Sequence, residues 1–184
     1  MAEAKEKTKA QNKAFQEMKK AALERLQGKP AEQAAENTGA VWKAQQGQLE
    51  LISLGQRIQI AYPSWEIEEE LEEWHTLLLY HYLDMADGTP LSREWVTFGN
   101  LKDGLIRGTG FDRTADMELG KFLKGKEIGE LKIIFEKLGA ETVDGRGDLS
   151  VEISIFPRYP FLLNIWLEDE EFPAAGKLLA DKNA

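Results

Sequence analysis

The sequence predicts an α+β fold, an antiparallel or mixed sheet packed against helices, and three observations carry that prediction. Apolar residues recur at helical spacing over residues 66 to 86 and 127 to 138. They alternate with polar ones over 48 to 61 and again from 149. The paired prolines of "PRYP" then join two strand-like runs into a hairpin. Residues 1–36 read as an N-terminal helical extension and residues 37–184 as a single α+β domain.

Each element follows from its own pattern. Phe15, Met18, Ala22 and Leu26 mark one long helix until "GKP" stops it, and the first dozen residues bring no large apolar side chain to anchor. Its basic residues Lys13, Lys19, Lys20 and Arg25 are interleaved with Glu17 and Glu24, which describes a solvated or docking face and not a membrane-binding one. "AEQAAENTGA" predicts a short helix closing near Gly39. Strands follow at about Gln48 to Leu54 and Arg57 to Ala61, punctuated by "LGQ", with Leu49, Leu51 and Ser53 on one face and Ile58 and Ile60 on one face of the next.

Glu66 to Met85 reads as the clearest helix. Leu71, Trp74, Leu77, Leu78, Tyr82 and Met85 form its stripe, acids fill its first turns, and Ser64 is placed to cap it. "REWVTFGNLKDGLIRGTGFDR" predicts a short strand and then a compact irregular segment able to shape a pocket. "DMELGKFLKGKEIGELKIIFEKLGAE" gives one helix broken near Gly125, or two short ones, with Gly139 as the stop. The last strands run from about Leu149 to Phe156 and Phe161 to Leu167. The second is apolar on both faces except at Asn164, so it is the more central.

Composition excludes several kinds of chemistry. The 184 residues fit one domain, with 42% apolar and 30% charged side chains, and the net charge of -9 disfavours a phosphate backbone as partner. Cysteine is absent, which removes disulfides, thiolate nucleophiles and iron-sulfur ligation from this chain. No apolar core of a signal peptide is present at the N-terminus, and runs such as "FLLNIW" are too short to span a bilayer, so a cytoplasmic location is expected.

The candidate site residues are few. His75 and His81 sit about 120° apart on a helix, a poor metal pair, but Asp84 is placed to orient the His81 ring. "GNLKDGLIRGTG" lacks both phosphate-cradle patterns, while Arg107 and Arg113 beside it suit carboxylate or phosphate recognition. "DGRGDLS" lacks the spacing of a calcium loop and reads as a solvated turn. In Glu168 to Glu171, strand alternation would let two acids share a site, or the whole run would protect a sticky strand end. Arg158, between Pro157 and Pro160, lies at the other end of that hairpin. No serine sits in a nucleophile elbow, and the five tryptophans read as core aromatics.

The stretches "LLLYHYLDMADGTPLSREWVTFGNLKDG" and "FPRYPFLLNIWLEDEEFPA", with the Leu-rich tail after them, resemble the DUF3786 family of bacterial and archaeal proteins over roughly residues 30 to 180. The matching positions are Tyr82, Leu83, Pro90, Trp95 and Phe98, then Pro157, Arg158, Pro160, Trp166, Asp169, Glu170, Phe172 and Pro173. The resemblance implies fusion or proximity to iron-sulfur, corrinoid and one-carbon proteins of anaerobes in some members, and a further helical segment beyond "LLADKNA". It carries no established activity. It moves Arg158, Asp169 and Glu170 ahead of other charged residues as site candidates, and leaves Pro157, Trp166 and Phe172 as structural.

The leading functional reading is therefore a non-catalytic accessory protein of anaerobic metabolism. It would bind a small anionic ligand through Arg158, Arg107 or Arg113, or bind a protein partner. No metal, cofactor, nucleic acid or membrane is expected as a partner, and an oligomer is left open. The alternatives are an enzyme using Asp169 and Glu170 with His81 in acid-base or metal-assisted work, and a structural interaction protein acting through the N-terminal helix.

Overall fold

Two α+β units make up the chain in the computed structural model, which describes residues 2–102, 104 and 107–183, with side chains from residue 13 onward. The irregular segment expected after residue 98 therefore has its residues 103, 105 and 106 outside the described ones, as are the side chains of the first dozen residues. Unit 1 comprises Met1–Leu51 and Arg57–Gly88, and unit 2 comprises Ile52–Gln56 and Thr89–Ala184. No helix among the described residues is long and apolar enough to cross a membrane.

Unit 1 is built from α1 (Ala2–Leu26), α2 (Ala31–Thr38), β1 (Val41–Lys43), β2 (Gln48–Ser53), β3 (Gln56–Ala61) and α3 (Glu73–Met85), with the strands ordered β1-β2-β3. The expected short helix is α2, closed by Gly39 at φ 71. Alternation holds on the strands, where Leu49, Leu51, Ile58 and Ile60 are buried, each contributing roughly 1.5–3 kcal/mol when fully withdrawn from water. α1 docks on α3 through buried Ala22 and Leu26, and Asp84 of α3 receives Arg25 Nε at 2.5 Å.

The helix expected over 66 to 85 begins only at Glu73. Residues 66 to 68 run extended along β3 instead, with Ile67 bridged to Ile60, Ala61 N–H donating to Glu66 O and Glu68 N–H to Gln59 O. The alternation of "EIE" satisfies β3's backbone groups, and that outweighs the helical preference of glutamate. Ser64 accordingly caps no helix; its hydroxyl accepts from Glu66 N–H at 3.4 Å. The buried face of α3 carries His75, Leu79, Tyr80 and Leu83, whereas Trp74 and Met85 of the expected stripe are exposed. Because Leu, Tyr and His surround the helix, its periodicity alone does not single out one face.

Unit 2 centres on a five-stranded antiparallel sheet ordered β4-β8-β7-β6-β5. Its elements are β4 (Trp95–Val96), a 3-10 turn (Phe98–Asn100), α4 (Gly108–Leu123), α5 (Ile128–Lys137), β5 (Glu141–Thr142), β6 (Leu149–Phe156), β7 (Tyr159–Trp166) and β8 (Ala175–Asp181). β7 is the central strand, as its two apolar faces predict. The helical stretch breaks at Gly125 into α4 and α5, but α4 starts eight residues before the expected Asp116. The residues after Leu167 show no strand-like alternation. β8 is nevertheless the strand they form, its Gly176 fitting under α4, where a Cβ would meet Leu119 Cβ at 2.9 Å. Leu123 of α4 and Leu131 and Phe135 of α5 close over Leu149, Val151, Leu163 and Ile165 to form the core. α4 and α5 supply this cover; α3, assigned the same role from the sequence, lies in unit 1 and packs on α1 and α2.

The tip of the β2-β3 turn belongs to unit 2. Leu54 at φ 48 and Gly55 at φ 75 make a two-residue turn with both residues left-handed, which suits the twist of a hairpin. Ser53 hydroxyl donates to Ile155 O at 2.5 Å and Leu54 N–H to Ser154 O at 3.2 Å, while a Cβ on Gly55 would stand 2.8 Å from Gly139 N.

Candidate functional site

Tyr159 and Phe161 continue the β7 row that Leu163 and Ile165 place in the core, since alternate strand residues share a face. Phe161 stacks on Phe98 with centroids 5.5 Å apart, Phe98 lies 4.2 Å from Phe111, and Tyr159 meets Phe161 edge-on at 5.0 Å. Four rings thus lead from the buried sheet outward to Phe111, which is 47% exposed. Burial pushes the Tyr159 hydroxyl up from its ordinary range, so it remains a neutral donor near neutral pH.

Glycine makes this geometry possible. The start of α4 crosses the 3-10 turn so closely that a Cβ on Gly108 or Gly104 would collide with Phe98 O, and one on Gly99 would stand 2.9 Å from Thr109 Cγ2. The Asp112 carboxylate fastens the crossing by accepting from Phe98 N–H at 2.9 Å and Gly99 N–H at 3.0 Å. The glycines that form no phosphate cradle in sequence serve here as a backbone crossing beneath an aromatic row.

All three arginines singled out from the sequence belong to this end of unit 2. Arg107 immediately precedes α4, four residues before Phe111, and Arg113 follows Phe111 by two; both are exposed. Arg158, half-buried, lies in the β6-β7 turn next to Tyr159. Asp169 and Glu170 are at the far end of β7, roughly 25 Å away at 3.3 Å per strand residue. Arg158 and the acid run are therefore not one site.

Nor does the acid run alternate as a strand. Asp169 Oδ1 accepts from Glu171 N–H at 2.8 Å and Phe172 N–H at 2.7 Å, and Asp169 N–H donates to Phe172 O at 3.0 Å, so the acids follow a closed turn. The two backbone donors, that of Phe172 first, hold the Asp169 carboxyl below its usual range. Glu168 accepts from Gly125 N–H at 3.0 Å, and Glu170 is exposed. Phe172, which the family resemblance implies is structural, is 66% exposed.

His81 is half-buried on α3, in unit 1, and the acids are in unit 2. Asp84, its expected partner, instead pairs with Arg25 and Lys29. His75 is the more buried histidine, stacked on Trp74 at 5.1 Å, and burial lowers its pKa. Among the described residues no group of three or more His, Cys, Asp or Glu is placed to hold a metal ion. "DGRGDLS" folds onto Asn164, whose Oδ1 accepts from Ser150 hydroxyl at 2.7 Å and Arg146 N–H at 3.2 Å, while Asp148 accepts from Leu167 N–H.

The sequence reading missed Asp181. Fully buried at the end of β8, it accepts from Ser92 N–H and hydroxyl, Asn183 N–H and Arg93 N–H at 2.6–3.0 Å. Burial alone would raise its pKa, but these donors together hold it below the usual range. It fixes the segment leading into β4, where Arg93 takes φ 60 and reaches Glu152 at 2.8 Å. The available signal was one acid closing the apolar run "LLAD".

A family profile described as "Domain of unknown function (DUF3786)" matches residues 30–184. No curated protein and no solved structure matches the chain.

Proposed function

Because the chain belongs to the DUF3786 family, a domain of unknown function, its chemistry has to be read from its own side chains, and we propose that it is a non-catalytic binding protein for a small anionic ligand with a flat apolar body. The carrying observation is the aromatic row that ends in half-exposed Phe111, with Arg107 and Arg113 beside it in sequence and Arg158 beside Tyr159 at the row's inner end. A planar group gains from stacking on an aromatic face, and a guanidinium fork fits a carboxylate or phosphate bidentately. A cytoplasmic accessory role suits such a ligand. The enzyme alternative has weaker support, because the Asp169 carboxylate already accepts two backbone donors in its own turn.

Benzoate and phenyl phosphate are suitable probes, titrated into the full chain by ligand-detected NMR. Phe111→Ala and Arg107→Ala are each expected to weaken saturable binding by about tenfold, which corresponds to about 1.4 kcal/mol. Binding that is indifferent to Phe111, Arg107 and Arg158 alike, or no binding of either probe, overturns the proposal.

A further inference from the structure

α1 joins the rest of unit 1 through a short link in which Gly28 takes φ 84, with nothing within 4 Å of where its Cβ would stand. A glycine in open space can absorb a large change of chain direction without collision. α1 and this link precede residue 30, where the family match begins. From Lys13 to Leu26 the helix buries only Ala22 and Leu26, and Met18 is 46% exposed. Two of its ion pairs, Lys13 with Glu17 and Lys20 with Glu24, are internal and exposed, so neither holds it to α3. A segment with so small an apolar footprint is among the first to open while its surroundings stay folded.

Charge gathered on Asp84, near the end of α3, adds to that footprint. The Asp84 carboxylate accepts from Arg25 Nε at 2.5 Å, on the α1 side of Gly28, and lies 3.7 Å from Lys29 Nζ, on the other side. Lys29 also donates to Leu83 O at 3.2 Å and to Asp84 O, at the carbonyl end of α3, which favours a cation. Higher on α1, Lys19 Nζ covers the ring of buried Tyr80, 5.7 Å from its centroid. We propose that α1 is a hinged strap: it turns about Gly28, is latched by the Arg25 and Asp84 pair, closes over Tyr80, and opens while β2 and β3 stay paired. Opening withdraws Arg25 but leaves Lys29 on α3, so the Asp84 carboxylate is not stranded without a cation, which keeps the open form accessible.

Native-state hydrogen exchange of the full chain, read by mass spectrometry, tests the strap. Amides of residues 15–26 should exchange as a group, at least about tenfold faster than those of β2 and β3, because the opening is sub-global. Arg25→Glu sets two carboxylates against each other at an exposed position; it should speed that group by about tenfold more and leave β2 and β3 unchanged, while Arg25→Lys stays close to wild type. Nitration of Tyr80 by tetranitromethane, located by peptide mapping, should rise in step with α1 exchange in Arg25→Glu. Lys20→Gln, which removes only an internal pair, should move neither readout. The proposal is overturned by α1 exchange that occurs only together with β2 and β3, by wild-type α1 exchanging at the rate of an unstructured peptide, by exchange indifferent to Arg25→Glu, or by Tyr80 nitration that does not follow it.

Discussion

Asp181→Asn tests whether a buried carboxylate holds the β4 end of unit 2. The asparagine keeps the shape but removes the charge from four donors. With its oxygen turned to Ser92 and Asn183, its amide must face Arg93 N–H, which now donates to Oδ2 at 2.6 Å. One donor is left opposed by another, and three hydrogen bonds lose charge assistance. Bonds to charged groups contribute about 1.5–3 kcal/mol each, and a stranded donor costs about 1–3 kcal/mol, but Ser92, Arg93 and Asn183 are exposed and can partly recover water. A net loss of about 3 kcal/mol follows, equivalent to about 6–12 °C in Tm for a chain of this length. Urea unfolding followed by tryptophan fluorescence measures it. Because the folded pKa of Asp181 is depressed, its stabilisation is complete above the ordinary carboxyl value near 3.9 and is lost as pH falls through the lower folded value. The gap between wild type and variant should therefore be wide at pH 7 and narrow steadily below about pH 4. A gap under about 0.5 kcal/mol at pH 7, or one unchanged in strong acid, refutes the reasoning.

Two further perturbations follow from burial and close approach. His75 has its pKa lowered by burial, so the unfolded chain binds its proton more readily; stability should fall as pH drops from about 7 through the folded value, and His75→Gln should remove that slope in urea titrations. Gly108→Ala, whose Cβ would strike Phe98 O, should lower the urea midpoint by the equivalent of about 1–3 kcal/mol, whereas Gly110→Ala, with nothing within 4 Å of its Cβ, should raise it by about 0.5–1 kcal/mol; shifts of the same sign would contradict the crossing described.

The legible parts of the fold were those where one pattern had one cause. A β7 run interrupted only by Asn164 reported the central strand of the sheet, and Gly39 and Gly125 marked left-handed residues where helices stop, although β6, whose Val151 alternates with Glu152, exposes no residue fully. Where two causes shared one pattern, the reading failed. "EIEEELEE" carries helix-forming glutamates and an alternating isoleucine together, and only the presence of β3 decides between them. β8 was hidden because Ala175, Gly176 and Ala180 are small, Gly176 leaving room for Leu119 of α4, and small residues give a weak strand signal. Of the residues proposed to bind a ligand, Arg107, Arg113 and Arg158 are named from the sequence by their guanidinium chemistry. Phe98 and Phe111 are not, because their ring contact joins a 3-10 turn to a helix in a way no local spacing encodes.

The turn at Leu54 and Gly55 reaches beyond its own hairpin. Its five residues are counted with unit 2 although they lie inside the stretch that builds unit 1, so no single cut of the chain yields either unit whole. A fragment beginning at Thr89 would leave Ser154 O and Ile155 O without the donors that Leu54 and Ser53 supply, and would uncover Gly139. During synthesis the tip emerges about one hundred residues before its acceptors on β6, so the last contacts of unit 2 wait for the C-terminal half while the tip stays free. Any fragment meant to hold unit 2 whole therefore has to keep residues 52–56 together with 89–184.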